Sequence, residues 1–180
     1  MGCCCNKNGL ENQTREALLT FLRPELLLDI AGLAYVEGDM IADGENPHDS
    51  HQLQDIVEDG NIERVTRVLD LTFAEIVEML YPFTKTQMED DYRPNDIYHE
   101  QEAYRLKMAV PATMSKTSVD YLEKLIHELL VCRVMADWCS ITKPSVADNW
   151  VAKAEDLKKN IISTLAHRGL RVRRPLTPFG

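Results

Sequence analysis

Glycine is scarce in this chain, with eight in 180 residues, and tight phosphate-cradling or nucleophile-bearing loops depend on it. No Gly-x-Ser-x-Gly elbow, no Gly-rich phosphate loop and no His-Glu-x-x-His pair occurs, so the common hydrolase, nucleotide-binding and zinc-protease signatures are excluded. Long apolar runs are missing too. None approaches the roughly 20 residues needed to span a bilayer, and the N-terminus lacks the charged start and apolar stretch of a secretory signal. The cysteines number five, and Cys3, Cys4 and Cys5 are adjacent. That is a poor disulfide framework, which points to a reducing compartment. No Cys-x2-Cys pair is present. His48 and His51, with Cys132, Cys139 and the Cys3–Cys5 run, carry donors without zinc spacing, so neither a metal nor a cofactor is expected.

A broad basic face for DNA is also lacking. The net charge is −9, unevenly spread. Between Glu37 and Glu102, 18 acidic residues face four Lys/Arg, a local charge of −14. Arg168 to Arg174 holds four arginines and no acid. An acidic body with a basic tail suits head-to-tail docking between copies or neighbours, or a wall that repels nucleic acid.

What is present is helical periodicity. After an irregular segment 1–13, the spacing of Ala17, Leu18, Phe21 and Leu22 predicts a helix from Thr14, interrupted by Pro24. Leu26 to Val36 forms a second apolar stretch, read as helix with strand possible from its length. Gly44 to Ser50 reads as loop and Gln52 to Glu58 as a short helix closed by Asp59-Gly60. Asn61 is placed as an N-cap. It precedes a stripe of Ile62, Val65, Leu69, Phe73, Ile76 and Leu80 that Pro82 is expected to end. Tyr104, Leu106, Met108 and Val110 alternate with Arg105, Lys107 and Ala109, which predicts a strand stopped by Pro111. The Phe83 region is its expected partner in a small hairpin.

The clearest element follows. Thr117 with Asp120 resembles a capping box, and Val119, Leu122, Ile126, Leu129, Leu130, Val134 and Trp138 recur at helical spacing. From Leu129 to Cys139 only Arg133 and Asp137 are charged, so the helix is apolar nearly all round and should be central. Arg133 and Asp137 stand four apart and are expected to pair with each other. His127, Cys132 and Cys139 on the same helix are read as packing residues. After the turn at Thr142-Lys143-Pro144, Ser145 and Asp148 suggest a second capping box. Trp150, Ala154, Leu157, Ile161 and Leu165 continue as a stripe that Gly169 would cap. Two long helices joined by a short turn make an antiparallel hairpin, with both tryptophans buried.

The two ends carry the sharpest motifs. Arg171-Val172-Arg173-Arg174-Pro175-Leu176-Thr177-Pro178-Phe179 combines fixed prolines, guanidinium groups suited to carboxylates and a terminal aromatic anchor. We read 170–180 as an extended arm, with Arg171, Arg173, Arg174, Pro175, Leu176, Pro178 and Phe179 as its docking residues. Met1-Gly2-Cys3-Cys4-Cys5-Asn6-Lys7 would permit myristoylation and palmitoylation, although Asn6 stands where Ser or Thr is preferred. It supports an alternative reading as a dually acylated peripheral membrane adaptor. A cysteine-dependent enzyme is a third reading. Against it, His127 and Cys132 are five apart on one helix and share a face poorly.

Gly60-Asn61-Ile62-Glu63-Arg64-Val65-Thr66-Arg67-Val68-Leu69 and Glu78-Met79-Leu80-Tyr81-Pro82-Phe83-Thr84-Lys85 resemble small structural proteins of crAss-like phages of Bacteroidales and related prophages. So do Leu125-Ile126-His127-Glu128, Ala136-Asp137-Trp138-Cys139-Ser140-Ile141-Thr142 and the closing Arg173 to Phe179. The resemblance covers roughly 25–180, and the helical layout is similar to that of head-to-tail connector (adaptor) proteins. It implies a virion protein of the neck, made in the bacterial host cytoplasm. Such copies form a closed ring, typically a dodecamer, below the portal, and DNA passes without sequence-specific binding. It also implies portal and neighbouring neck or tail proteins as partners, no membrane and no catalysis. Together these readings give a mainly α fold. A helical connector domain over 14–169 has a long C-terminal antiparallel helical hairpin and a small β-hairpin insertion, and the arm 170–180 follows it.

Overall fold

The computed structural model describes residues 14–40, 47–85, 87–88, 101–112 and 114–166. The irregular segment 1–13, Gly169 and the arm 170–180 lie outside the described residues. The fold is mainly α, with a three-stranded antiparallel sheet packed on three of its helices. Strand β1 is Thr14–Leu22, helix α1 Arg23–Asp39 and helix α2 Pro47–Gln54. A 3-10 turn, Asp55–Val57, follows. Helix α3 is Ile62–Thr84, β2 Gln87–Met88, β3 Ala103–Pro111, α4 Lys116–Thr142 and α5 Pro144–Ala166. Among the described residues no helix is long and apolar enough to cross a membrane.

The first helix expected from Thr14 is a strand. β1 lies antiparallel to β3 from Thr14 opposite Pro111 to Leu22 opposite Ala103. The inward set is Leu19 and Phe21, opposite Leu106 and Tyr104, while Leu18 and Leu22 face outward. The period is therefore two, and a pairing distant in sequence overrides the local helical spacing. β3 behaves as its alternation predicts: Tyr104, Leu106, Met108 and Val110 are all buried. Its longer partner is β1, and the small hairpin expected with the Phe83 region forms just past that residue, at β2. Phe83 is the penultimate residue of α3, and among the described residues the two-residue β2 flanks the other edge.

Pro24 starts α1 instead of interrupting a helix, because proline's fixed φ and missing N–H suit the first turn. The region expected as loop up to Ser50 already begins α2 at Pro47. Asn61 precedes α3 as expected, but its side chain makes no cap bond. It donates instead to the carbonyl of Asp55 at 2.9 Å, fastening the 3-10 turn to the helix start. Pro82 sits inside the last turn of α3, which continues to Thr84. The helix then closes at Lys85, in the left-handed region at φ 53°, whose N–H reaches the Tyr81 carbonyl at 2.9 Å. The cap of α4 is Ser115, two residues before the expected Thr117. Its hydroxyl accepts from the Ser118 N–H at 3.2 Å. α5 begins at Pro144, so Ser145 lies within the helix and not at its cap.

α4 is the centre of the core, with Leu122, Ile126, Leu129, Leu130, Val134, Met135 and Trp138 all buried. α5 packs against it as the second arm of the helical hairpin through Trp150, Ala154 and Ile161. Both tryptophans are buried, and Trp138 Nε1 donates to the Leu53 carbonyl at 3.0 Å, tying α2 to α4. The sheet packs against the middle of α3 through an aromatic series. Phe21 meets Phe73 of α3 edge-on at 6.5 Å, and Phe73 meets Tyr104 at 5.3 Å. Beside it lies a buried polar set: Arg23 donates to Thr66 at 3.1 Å, and the Tyr104 hydroxyl donates to Asp70 at 2.8 Å. These bonds join β3 and the start of α1 to α3.

Candidate functional site

Ion pairs show how α1, α3 and α5 are arranged around α4. Arg133 reaches Glu75 of α3 at 3.3 Å. Asp137 takes a bidentate pair from Arg64 of α3 at 2.8 and 3.0 Å. The expected Arg133–Asp137 pair is thus replaced by two bridges to α3, because each side chain finds a partner on the facing helix. His127 meets Asp29 of α1 at 2.7 Å, so it bridges helices at the surface and is not a packing residue. Lys143 meets Glu37 of α1 at 3.7 Å, and Lys153 of α5 pairs with Glu128.

The same layout places the two described cysteines relative to His127. His127 faces α1, whereas Cys132 faces Glu128 and the α5 lysine Lys153. The two residues do not meet. Cys132 and Cys139 are both fully buried free thiols. Burial pushes each thiol up to about 11, with Glu128 adding to the rise at Cys132 and Glu37 at Cys139. Both are protonated near neutrality, when a nucleophilic cysteine needs its thiolate. Among the described residues no three His, Cys, Asp or Glu side chains gather as a metal site. His51 is exposed on α2, and Cys3, Cys4 and Cys5 lie outside the described residues. The arm residues Arg171, Arg173, Arg174, Pro175, Leu176, Pro178 and Phe179 also lie outside them.

Two outward surfaces have the character of docking sites. One is a groove of about 380 Å³ between α3 and α5. Ile76 and Met79 of α3 and Leu129 of α4 line it with apolar surface, while Glu75, Glu78 and Lys158 supply charged groups. Glu75 is held by Arg133, and Lys158 by Glu155 at 3.1 Å. Thr72 turns its hydroxyl back to the Val68 carbonyl at 2.7 Å, which leaves an apolar slot with charges of both signs.

The other surface is the outer face of α1. Its buried side is Leu26, Ile30, Ala34 and Gly38. Yet Leu28 is 73% exposed, Tyr35 60%, Val36 54% and Met40 73%. These residues, with Gly32 between them, recur at helical spacing along one face. Glu25, Asp29 and Asp39 share that face, and the helix's one basic residue, Arg23, is buried. The outer face of α1 is therefore apolar at its middle and acidic towards its ends. A solvent-facing helix normally shows polar residues there, and exposed apolar side chains gathered on one face fit a contact surface.

The two surfaces lie on opposite flanks of α4. His127, which contacts α1, and Leu129, which lines the groove, are two residues apart and so roughly 160° apart around the helix axis. Sequence reasoning missed both surfaces. The apolar stretch from Leu26 to Val36, broken only by Asp29 and Gly32, carried a signal for α1, since more residues are apolar than one buried face can use. The groove depends on how far apart α3 and α5 sit, which no local pattern encodes.

No protein-family model, curated protein or solved structure matches this chain.

Proposed function

We propose that this chain is a structural subunit of a tailed-phage neck, forming a closed ring below the portal that extends the DNA channel and joins head to tail. It acts by docking and without catalysis. The observation that carries this reading is the pair of unlike outward surfaces on opposite flanks of α4. A ring closes through a heterologous contact, in which one surface of each copy meets a different surface of the next. Leu28, Tyr35, Val36 and Met40, gathered on one face and each more than half exposed, would be covered by contact with a neighbouring copy. The strongly acidic stretch from Glu37 to Glu102 supports a place beside DNA that must slide without sticking, because few cations there can hold phosphates.

The test is the mass of the purified full chain by size-exclusion chromatography with light scattering, followed by imaging of the assembled particle at side-chain resolution. A discrete species of about twelve copies, and density for the chain between portal and tail, are the expected results. A chain that stays monomeric at every concentration and is missing from particles would overturn the proposal.

A further inference from the structure

The outer face of α1 needs an occupant of defined chemistry. From Glu25 to Met40 it runs roughly 22 Å at 1.5 Å per residue. Its exposed charges are all negative, and its middle is Leu28, Tyr35 and Val36 around Gly32. A second α1 face would bring carboxylates against carboxylates, so self-pairing of this face is disfavoured. The α3/α5 groove has Glu75 held by Arg133 and Lys158 held by Glu155, which leaves Glu78 as its one lining carboxylate outside these ion pairs and makes it the poorer site for a segment with several cations. The complement of the α1 face is a segment with cations, apolar side chains and no acid. Two stretches of this sequence have that make-up: 103–119, whose first part is paired in the sheet as β3, and Arg168 to Phe179, with four arginines, Leu170, Val172, Leu176 and Phe179.

We infer that the outer face of α1 is the receptor for the segment Arg168 to Phe179 of a neighbouring copy. This rests on the reading that copies assemble. The dimensions agree. Fourteen residues follow Ala166, and at about 3.1 Å per residue in the extended form that prolines favour, seven of them cover the same roughly 22 Å. Arg171, Arg173 and Arg174 pair with the carboxylates of Glu25 or Asp39, where a planar guanidinium can bind two oxygens, since Asp29 is already met by His127. Phe179 and Leu176 cover the apolar middle. Gly32 leaves that middle low, since a Cβ added there would meet nothing within 4 Å, so an extended chain can approach the helix backbone closely.

Two measurements on the full chain test this. First, the photoreactive substitution Phe179→p-benzoylphenylalanine is placed in a mixture of isotopically light and heavy copies, and the cross-linked peptides are sequenced. Cross-links from position 179 to residues 28–40, joining light to heavy chains, are expected. Cross-links to the α3/α5 groove, or within one chain alone, overturn the inference while leaving assembly itself standing. Second, Gly32→Arg places a bulky cation in open space on the face. Arginine is the better helix former, so the monomer should melt no lower. Self-association should weaken at least tenfold. Unchanged association by this variant overturns the inference, and a wild-type chain that never associates overturns the reading beneath it.

Discussion

Trp138 offers the sharpest test of how the bundle is held. Its indole is buried and its Nε1 donates to the Leu53 carbonyl at 3.0 Å. It therefore contributes both packing volume in α4 and the bond that fastens the end of α2. Trp138→Ala removes both. Large core aromatics cost roughly 3–5 kcal/mol on truncation to alanine. At about 2–4 °C per kcal/mol for a chain of this size, the melting temperature should fall by roughly 6–20 °C. Trp138→Phe separates the contributions, because it keeps much of the apolar volume and leaves the Leu53 carbonyl without its donor. That loss should cost about 1–3 kcal/mol. Urea denaturation followed by circular dichroism gives both differences. Amide exchange then localises the second, with protection falling first over Leu53 to Val57 in the Phe variant. A Trp138→Ala chain that unfolds at the wild-type midpoint would refute the central placement of α4. Unaltered exchange over Leu53 to Val57 in Trp138→Phe would refute the tether.

Three further expectations follow from the geometry. Double-mutant cycles should give coupling of about 0.2–1 kcal/mol for Arg64 with Asp137 and for Arg133 with Glu75, and none resolvable for Arg133 with Asp137. Sizeable coupling within the last pair would mean that the two residues do face each other along α4. The thiols of Cys132 and Cys139 are raised from 9.0 to about 11 by burial. The protonated form is thus favoured by the fold, so their contribution is complete below pH 9 and is lost as pH climbs towards 11. Cys132→Val with Cys139→Ala should flatten the fall in stability over that window, and an unaltered slope would count against the cause given. Finally, the described core closes by Ile161 and Leu165, so deletion of 170–180 should leave the monomer's melting temperature within about 2 °C while abolishing incorporation into particles. Normal incorporation would remove the arm from the docking mechanism.

The long local elements were readable because their partners are near in sequence. In α4 and α5 the stripes from Val119 to Trp138 and from Trp150 to Leu165 encode one apolar face after another, and a single turn at Lys143 sets the hairpin. β1 was misread because Ala17, Leu18, Phe21 and Leu22 satisfy helical spacing equally well, and only the distant strand at Tyr104 to Val110 selects Leu19 and Phe21 as the inward set. Cap positions shifted by a residue or two for a similar reason. Ser115 and Thr117 both offer a hydroxyl, and the turn leaving β3 decides between them. Of the candidate site, the tail's chemistry is visible in its arginines and prolines. The α1 face that complements it emerges only once Leu26, Ile30 and Ala34 are known to point inward, leaving Leu28, Tyr35 and Val36 on the outside.

The register of β1 against β3 also imposes an order of events during synthesis. β1 emerges first, yet its partner is complete only when Pro111 has been made, 89 residues after Leu22. At about 5–20 residues per second the strand waits for roughly 4–18 s. Through that interval Leu18, Leu19, Phe21 and Leu22 form an unpaired apolar segment without an opposing strand. The wait ends when β3 clears the ribosome. The backbone N–H of Arg23 then bonds the carbonyl of Glu102 at 3.0 Å, drawing together the two ends of everything made in between. Nascent chains halted before β3 emerges should therefore engage chaperones that grip apolar segments through 18–22, and chains halted after it should release them.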